Sequence, residues 1–172
     1  MGLLGISLLF VGITLVSNGL YRFLNVDAKS TAAMNLFTGS IITIGNIIML
    51  AKAVEIMEFQ NVASGFLFGV TYLFIAANYL FKLDLRPFGL FSLFVAIYAT
   101  TMAVINYNSA VVTGSGDFRF MLLWGAWAIL WLEGFLELVL KWPLAKIFPF
   151  LSIAIGIFSA FIPAMYMLTG KW

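Results

Sequence analysis

The sequence predicts an all-α membrane protein with six transmembrane helices paired into three two-helix hairpins. Three observations carry that expectation. Of the 172 residues, 63% are hydrophobic and 9% are charged, where a soluble domain has about a quarter charged. The apolar residues fall into six runs near 3–25, 30–52, 62–81, 87–107, 119–140 and 144–169, each close to the ~20 residues that cross a bilayer. The runs are continuous rather than alternating, so they must be helices, because lipid offers the backbone no hydrogen-bond partner.

The first run, MGLLGISLLFVGITLVSNGLYRF, has no basic leader and no small-residue cleavage site after it. It reads as a retained helix rather than a signal peptide. The polar stretch VDAKSTAAMN follows as a tight turn, with Asp27 or Ser30 available to cap the second helix. The third and fifth runs end in equally short turns, KLDLRP and KWP. The second and fourth lead into longer segments, around AKAVEIMEFQN and NYNSAVVTGSGDFR. This alternation suggests hairpins, and residues 1–172 are expected to form a single transmembrane domain. Arg22, Lys29, Lys82, Arg86, Lys141 and Lys146 lie on the short-turn side, and Lys52, Arg119 and Lys171 on the other. That bias puts the short turns in the cytoplasm and both termini outside.

The hairpins also align with one another. Matching Asp27 to Asp84, and Pro87 to Pro143, superposes Val11, Phe68 and Trp124 on the odd-numbered spans. Leu15, Tyr72 and Ala128 follow one turn on, then Asn18, Ile75 and Trp131. Three hairpins about an axis would turn these triplets into stacked rings of large apolar and aromatic groups. Such a lining suits a small, neutral, planar solute and offers an ion no sustained replacement for water.

Several side chains are out of place in lipid. Asn18, Asn46 and Asn78 lie within spans, where interhelical hydrogen bonding is the ordinary explanation. Glu133 and Glu137 are intramembrane carboxylates, a type that often marks a pathway. Lys141 is spaced to pair with Glu137, whereas Glu133 needs a proton or a buried partner. Trp124, Trp127 and Trp131 share one face of the fifth helix, and the last two are too central for an interfacial belt. They could pack between helices or wall a narrow path.

The chain contains neither cysteine nor histidine. No metal cluster, nucleophile–base pair or paired carboxylates stand out, so the sequence predicts no cofactor, no metal and no enzyme. A net charge of +2 gives no sign of a nucleic-acid partner.

The stretches LFVGITLVSNGL, VDAKSTAAMN, GFLFGVTYLFIAANYLFKLDLRPFGLFSLFVAI, LLWGAWAILWLEGFLE and FPFLSIAIGIFSAFIPA together touch all six spans. In them the chain resembles the bacterial urea and amide channel family, which includes an acid-activated urea channel and AmiS-type amide transporters. The resemblance implies three hairpins around a central pore in each protomer, a homohexameric ring, and passive conduction of urea or short-chain amides across the bacterial inner membrane. It implies pore constrictions at Val11, Leu15, Phe68, Tyr72, Trp124, Trp127, Leu130 and Trp131. Two departures matter. The acid-gated member carries a long histidine-bearing loop after its second span, whereas here that segment has only Glu55 and Glu58. A glutamate in its sixth span aligns with Ile155. Flux is therefore expected to be independent of pH between about 5 and 7.5, where unperturbed carboxylates do not titrate.

Other readings are a proton-coupled transporter using Glu133 or Glu137, and a ring that holds a cytoplasmic urease or amidase at the membrane. The short turns leave little surface for the latter.

Overall fold

The computed structural model describes residues 2–24 and 26–172. Six helices cross in chain order: α1 Gly2–Leu24, α2 Ala28–Leu50, α3 Ile56–Phe81, α4 Arg86–Val112, α5 Phe118–Leu138 and α6 Phe148–Leu168. All six are long and apolar enough to span a bilayer, and the described residues contain no strand. The chain is a multi-pass membrane protein. Two helices contain π-helical turns, Asn108–Val112 at the end of α4 and Gly156–Phe161 in the middle of α6.

Local chemistry sets the helix ends. Pro87 and Pro149 occupy the first turns of α4 and α6, where a missing N–H is harmless. The Glu58 carboxylate accepts from the backbone N–H groups of Val54, at 2.7 Å, and Glu55, at 3.0 Å, and so starts α3. Asp117 accepts from the N–H of Arg119 at 2.9 Å and caps α5. Asp27 stands at the cap position of α2, but its side chain makes no capping bond; only its carbonyl accepts, from Ser30 at 3.0 Å. In the α3–α4 turn the Arg86 guanidinium holds the Asp84 carboxyl well below its ordinary range, at about 2.

The connections differ from the predicted alternation. The link after α2 spans only 51–55, because the first turns of α3 absorb residues 56–61. The link after α5 is longer than KWP: α5 stops at Leu138, and 139–147 run irregularly to α6, with Lys141 in a left-handed conformation. Leaving the helix there carries Lys141 away from Glu137, and the partner of Glu137 is instead Arg22 on α1, at 3.6 Å.

Connected helices are not the most closely packed ones. The tightest pairs are α2/α3, α4/α5 and α1/α6, so each hairpin packs hardest on its neighbours. Small residues explain this, because they let backbones approach in lipid. Gly5, Gly12 and Gly19, seven apart on one face of α1, lie against Leu168, Phe161 and Pro149 of α6. A Cβ on Gly12 would sit 2.7 Å from the Phe161 backbone nitrogen. Gly39 and Gly69 do the same between α2 and α3, and Gly89 between α4 and α5.

Buried polar bonds tie the looser contacts. Thr14 and Thr38 share a hydrogen bond of 2.7 Å between α1 and α2. One turn on, the amides of Asn18 and Asn35 bond each other reciprocally at 3.0 and 2.8 Å. Ser64 and Tyr98 join α3 to α4 at 2.8 Å. Asn46, the second intramembrane asparagine, donates to the Ile42 carbonyl of its own helix at 2.7 Å and packs on Gly65.

Candidate functional site

A cavity of about 150 Å³ enters the bundle from the face that carries the α1–α2, α3–α4 and α5–α6 connections. Its walls come chiefly from α1, α3 and α5, the three odd-numbered helices. Leu15, Asn18, Phe68, Tyr72, Asn78, Trp127, Leu130 and Trp131 all line it, as do the two carboxylates Glu133 and Glu137. Of the proposed rings, Asn18, Ile75 and Trp131 stand together on its wall.

Val11 and Trp124 do not line it. They are buried in the apolar core beyond its inner end. The Phe68 ring marks that end. It meets Trp127 and Trp131 edge-on, each at 4.8 Å between centroids, and Trp124 at 6.2 Å. Trp124 in turn contacts Trp127 at 5.1 Å and Tyr98 at 5.9 Å. Edge-to-face pairing of this kind fixes ring orientation as well as burying area. Phe68 therefore sits in an aromatic cluster between the cavity and the opposite face.

The indoles are held in place. Trp127 Nε1 donates to Ser159 Oγ at 2.9 Å, and Ser159 donates to the Ile155 carbonyl at 2.7 Å. Trp131 Nε1 donates to Thr71 Oγ1 at 3.3 Å, and Thr71 donates to the Leu67 carbonyl at 2.7 Å. In both cases a hydroxyl bonded back to its own helix accepts the indole N–H. Ser159 lies inside the π-helical turn of α6.

Asn18 is engaged by Asn35, so its part in the wall is structural even though it faces the cavity. Asn78 and Glu133 behave differently. They are 4% and 5% exposed, and none of their side-chain polar atoms has a hydrogen-bond partner among the described residues.

Near the mouth, Arg22 bridges helices. It pairs with Glu137, donates to the Ala145 carbonyl at 3.3 Å and lies 4.2 Å over the Phe148 ring. Tyr79 donates to Tyr21 at 2.9 Å beside it. Sequence reasoning missed Arg22, Tyr21, Tyr79, Thr71 and Ser159 as parts of the site. In the sequence Arg22 counts only toward orientation, and Tyr21 carries no signal. Ser159 carried no signal beyond a small polar residue in an apolar run.

No group of His, Cys, Asp and Glu among the described residues is arranged to hold a metal ion.

A profile described as AmiS/UreI family transporter matches residues 3–171. The chain is 37% identical over 195 residues to the acid-activated urea channel of Helicobacter pylori (strain ATCC 700392 / 26695), covering 99% of this chain and 100% of the relative. It is 31% identical to a putative amidate substrates transporter protein of Mycolicibacterium smegmatis, covering 98% of this chain and 78% of that one. The cryo-EM structure of the Helicobacter pylori urea channel in closed state superposes with a TM-score of 0.88 at 39% identity, covering 98% of this chain and 99% of that one.

Proposed function

The chain belongs to the AmiS/UreI family of transporters, and from that premise we propose that it is a passive channel for urea or a closely related short-chain amide. Its relatives are channels and transporters rather than enzymes. The observation that carries the reading is the cavity ending on the Phe68, Trp127 and Trp131 cluster. Both indole N–H groups there are engaged within the protein, so the slit presents π faces and edges with little to replace an ion's water. A flat neutral solute can slide between rings that reject a hydrated cation. Val11 and Trp124 complete the constriction on the far side, and Leu15, Tyr72 and Leu130 on the near side.

The protein works as a homohexamer in the bacterial inner membrane, with the α1–α2, α3–α4 and α5–α6 connections and the cavity mouth in the cytoplasm and both termini outside. Stopped-flow shrinkage and reswelling of proteoliposomes with urea, acetamide and glycerol tests the conduction. Rapid, non-saturating reswelling with urea or acetamide, and no flux of sodium or chloride, is expected. Rates no faster than empty vesicles would remove the channel reading.

The buried and unpartnered Glu133 favours a second reading, coupled transport with a proton. Flux that saturates at low substrate and follows an imposed pH gradient would support it over the channel. With no histidine to titrate, urea flux should vary little between about pH 5 and 7.5. A several-fold change in that window that disappears in Glu133→Gln would assign gating to Glu133 and end the ungated reading.

A further inference from the structure

The polar side chains facing the cavity fall into two sets. Those of the first are already engaged. Trp127 and Trp131 donate to hydroxyls, Asn18 is paired with Asn35, and Ser92 donates to the Phe88 carbonyl. The second set includes Asn78 and Glu133. Both are more than nine-tenths buried; Nδ2 and Oδ1 of Asn78 have no hydrogen-bond partner among the described residues, and no donor among them reaches Oε1 or Oε2 of Glu133, whose polar neighbour is the Glu137 carboxyl. Buried groups of this kind are normally satisfied, and an orphaned amide and an orphaned carboxyl on one cavity call for a ligand.

Their placement follows the repeat. The register that superposes Phe68 on Trp124 and Ile75 on Trp131 brings Asn78 onto Gly134, the neighbour of Glu133. Asn78 is on α3 and Glu133 on α5, and these helices are not one of the closely packed pairs. The two groups thus line one cavity from different walls, on the mouth side of the slit.

We propose that Asn78 and Glu133 form a two-sided docking site that selects urea, a solute with two NH₂ groups, over acetamide and other primary amides with one. The inference rests on the urea and amide channel reading above. An Asn amide can pair with one edge of urea, Nδ2 donating to the solute carbonyl and Oδ1 accepting from one NH₂. The carboxyl oxygens of Glu133 accept from the second NH₂. Acetamide satisfies the Asn78 edge equally well but turns a methyl group toward Glu133, leaving its oxygens desolvated and unpaired. Sites built around a substrate N–H discriminate strongly against a solute that lacks it, for this reason. The slit beyond them is apolar and aromatic, so the solute is oriented by these contacts and still leaves easily, as conduction requires. The docked solute lies at the level of Asn78, below the indoles, ready to enter the slit edge-first.

The test compares urea and acetamide permeability in the same proteoliposomes, after subtracting flux through empty vesicles. In the unmodified protein urea should exceed acetamide by about tenfold, the effect of one hydrogen bond lost. A ratio near one would overturn the docking site while leaving the channel intact. Failure of both solutes to exceed the empty-vesicle rate would instead overturn the channel reading. Asn78→Leu and Glu133→Met should each bring the ratio close to one, mainly through slower urea. The ratio is internal to each preparation, so differences in folded protein cancel. Glu133→Gln keeps an acceptor oxygen and should retain most of the preference. An unchanged ratio in both Asn78→Leu and Glu133→Met would also overturn the proposal.

Discussion

At the scale of single residues, the aromatic cluster at the inner end of the cavity is defined by how its groups are held. Trp131 contacts Phe68 and is anchored to Thr71, so its removal opens space beside Phe68. Trp131→Ala should raise glycerol permeability relative to urea by several-fold in stopped-flow assays, whereas Trp142→Phe, at an exposed position outside the cavity, should leave both rates unchanged. The reverse result would place the path elsewhere. Ser159→Ala makes a different prediction. It leaves the Trp127 indole N–H buried without its acceptor, which costs about 1–3 kcal/mol. The variant should melt earlier, show shifted tryptophan emission and conduct urea several-fold more slowly. Unchanged emission and flux would mean that ring packing alone fixes Trp127. Much of this site was legible in the sequence, because a tryptophan stripe with spacing of three and four residues in an apolar run defines one helix face whatever the partners are. The anchors were not. Thr71 and Ser159 are small hydroxyls of a kind common in transmembrane helices, and their significance depends on which indole lies opposite. The pairing of Glu137 with Arg22 was hidden for a related reason, since it depends on where α5 unwinds.

Between elements, glycine determines which helices touch. Gly12 lies against the π-helical turn of α6, where even a methyl group would meet backbone. Gly12→Leu should therefore destabilise the detergent-solubilised protein by about 1–3 kcal/mol, read as a lower midpoint of thermal unfolding. Gly125→Ala is the control, because nothing lies within 4 Å of that position. It should be neutral or slightly stabilising through better helix propensity. Equal effects at the two sites would show that the close approach of α1 and α6 contributes nothing. The six helices could be read from hydropathy, since the bilayer imposes their length. Their pairing could not. Loop lengths pointed to the connected helices as the intimate partners, while the stripe Gly5, Gly12, Gly19 directs α1 to α6 at the other end of the chain. The start of α3 was likewise obscured, because the Glu55 and Glu58 segment looks like a polar loop until the Glu58 carboxylate is seen to cap the helix.

For the whole molecule, the distribution of basic residues bears on how it sits in the membrane. Cysteine at residue 2 or at Ser115, in this cysteine-free chain, should react with an impermeant thiol reagent in intact cells, and Lys29→Cys should react only after permeabilisation. The opposite pattern would invert the orientation. The seam between α1 and α6 has a further consequence. The side chain of Leu168 comes within 3.0 Å of where a Cβ on Gly5 would lie, so the two ends of the chain meet at one edge of the bundle. The bundle is a closed circuit of helices whose starting point is arbitrary. A peptide linker could join those ends and a new break could be made at 82–85, where only a turn would be cut. The permuted chain would begin with α4 and finish with α3, and both of its termini would emerge on the opposite side of the membrane. Because the α1/α6 contact would then lie within the chain, the permutant should assemble and conduct as the parent does. A permutant that inserts but fails to conduct would mean that the order in which the helices enter the bilayer, and not their packing alone, determines the finished bundle.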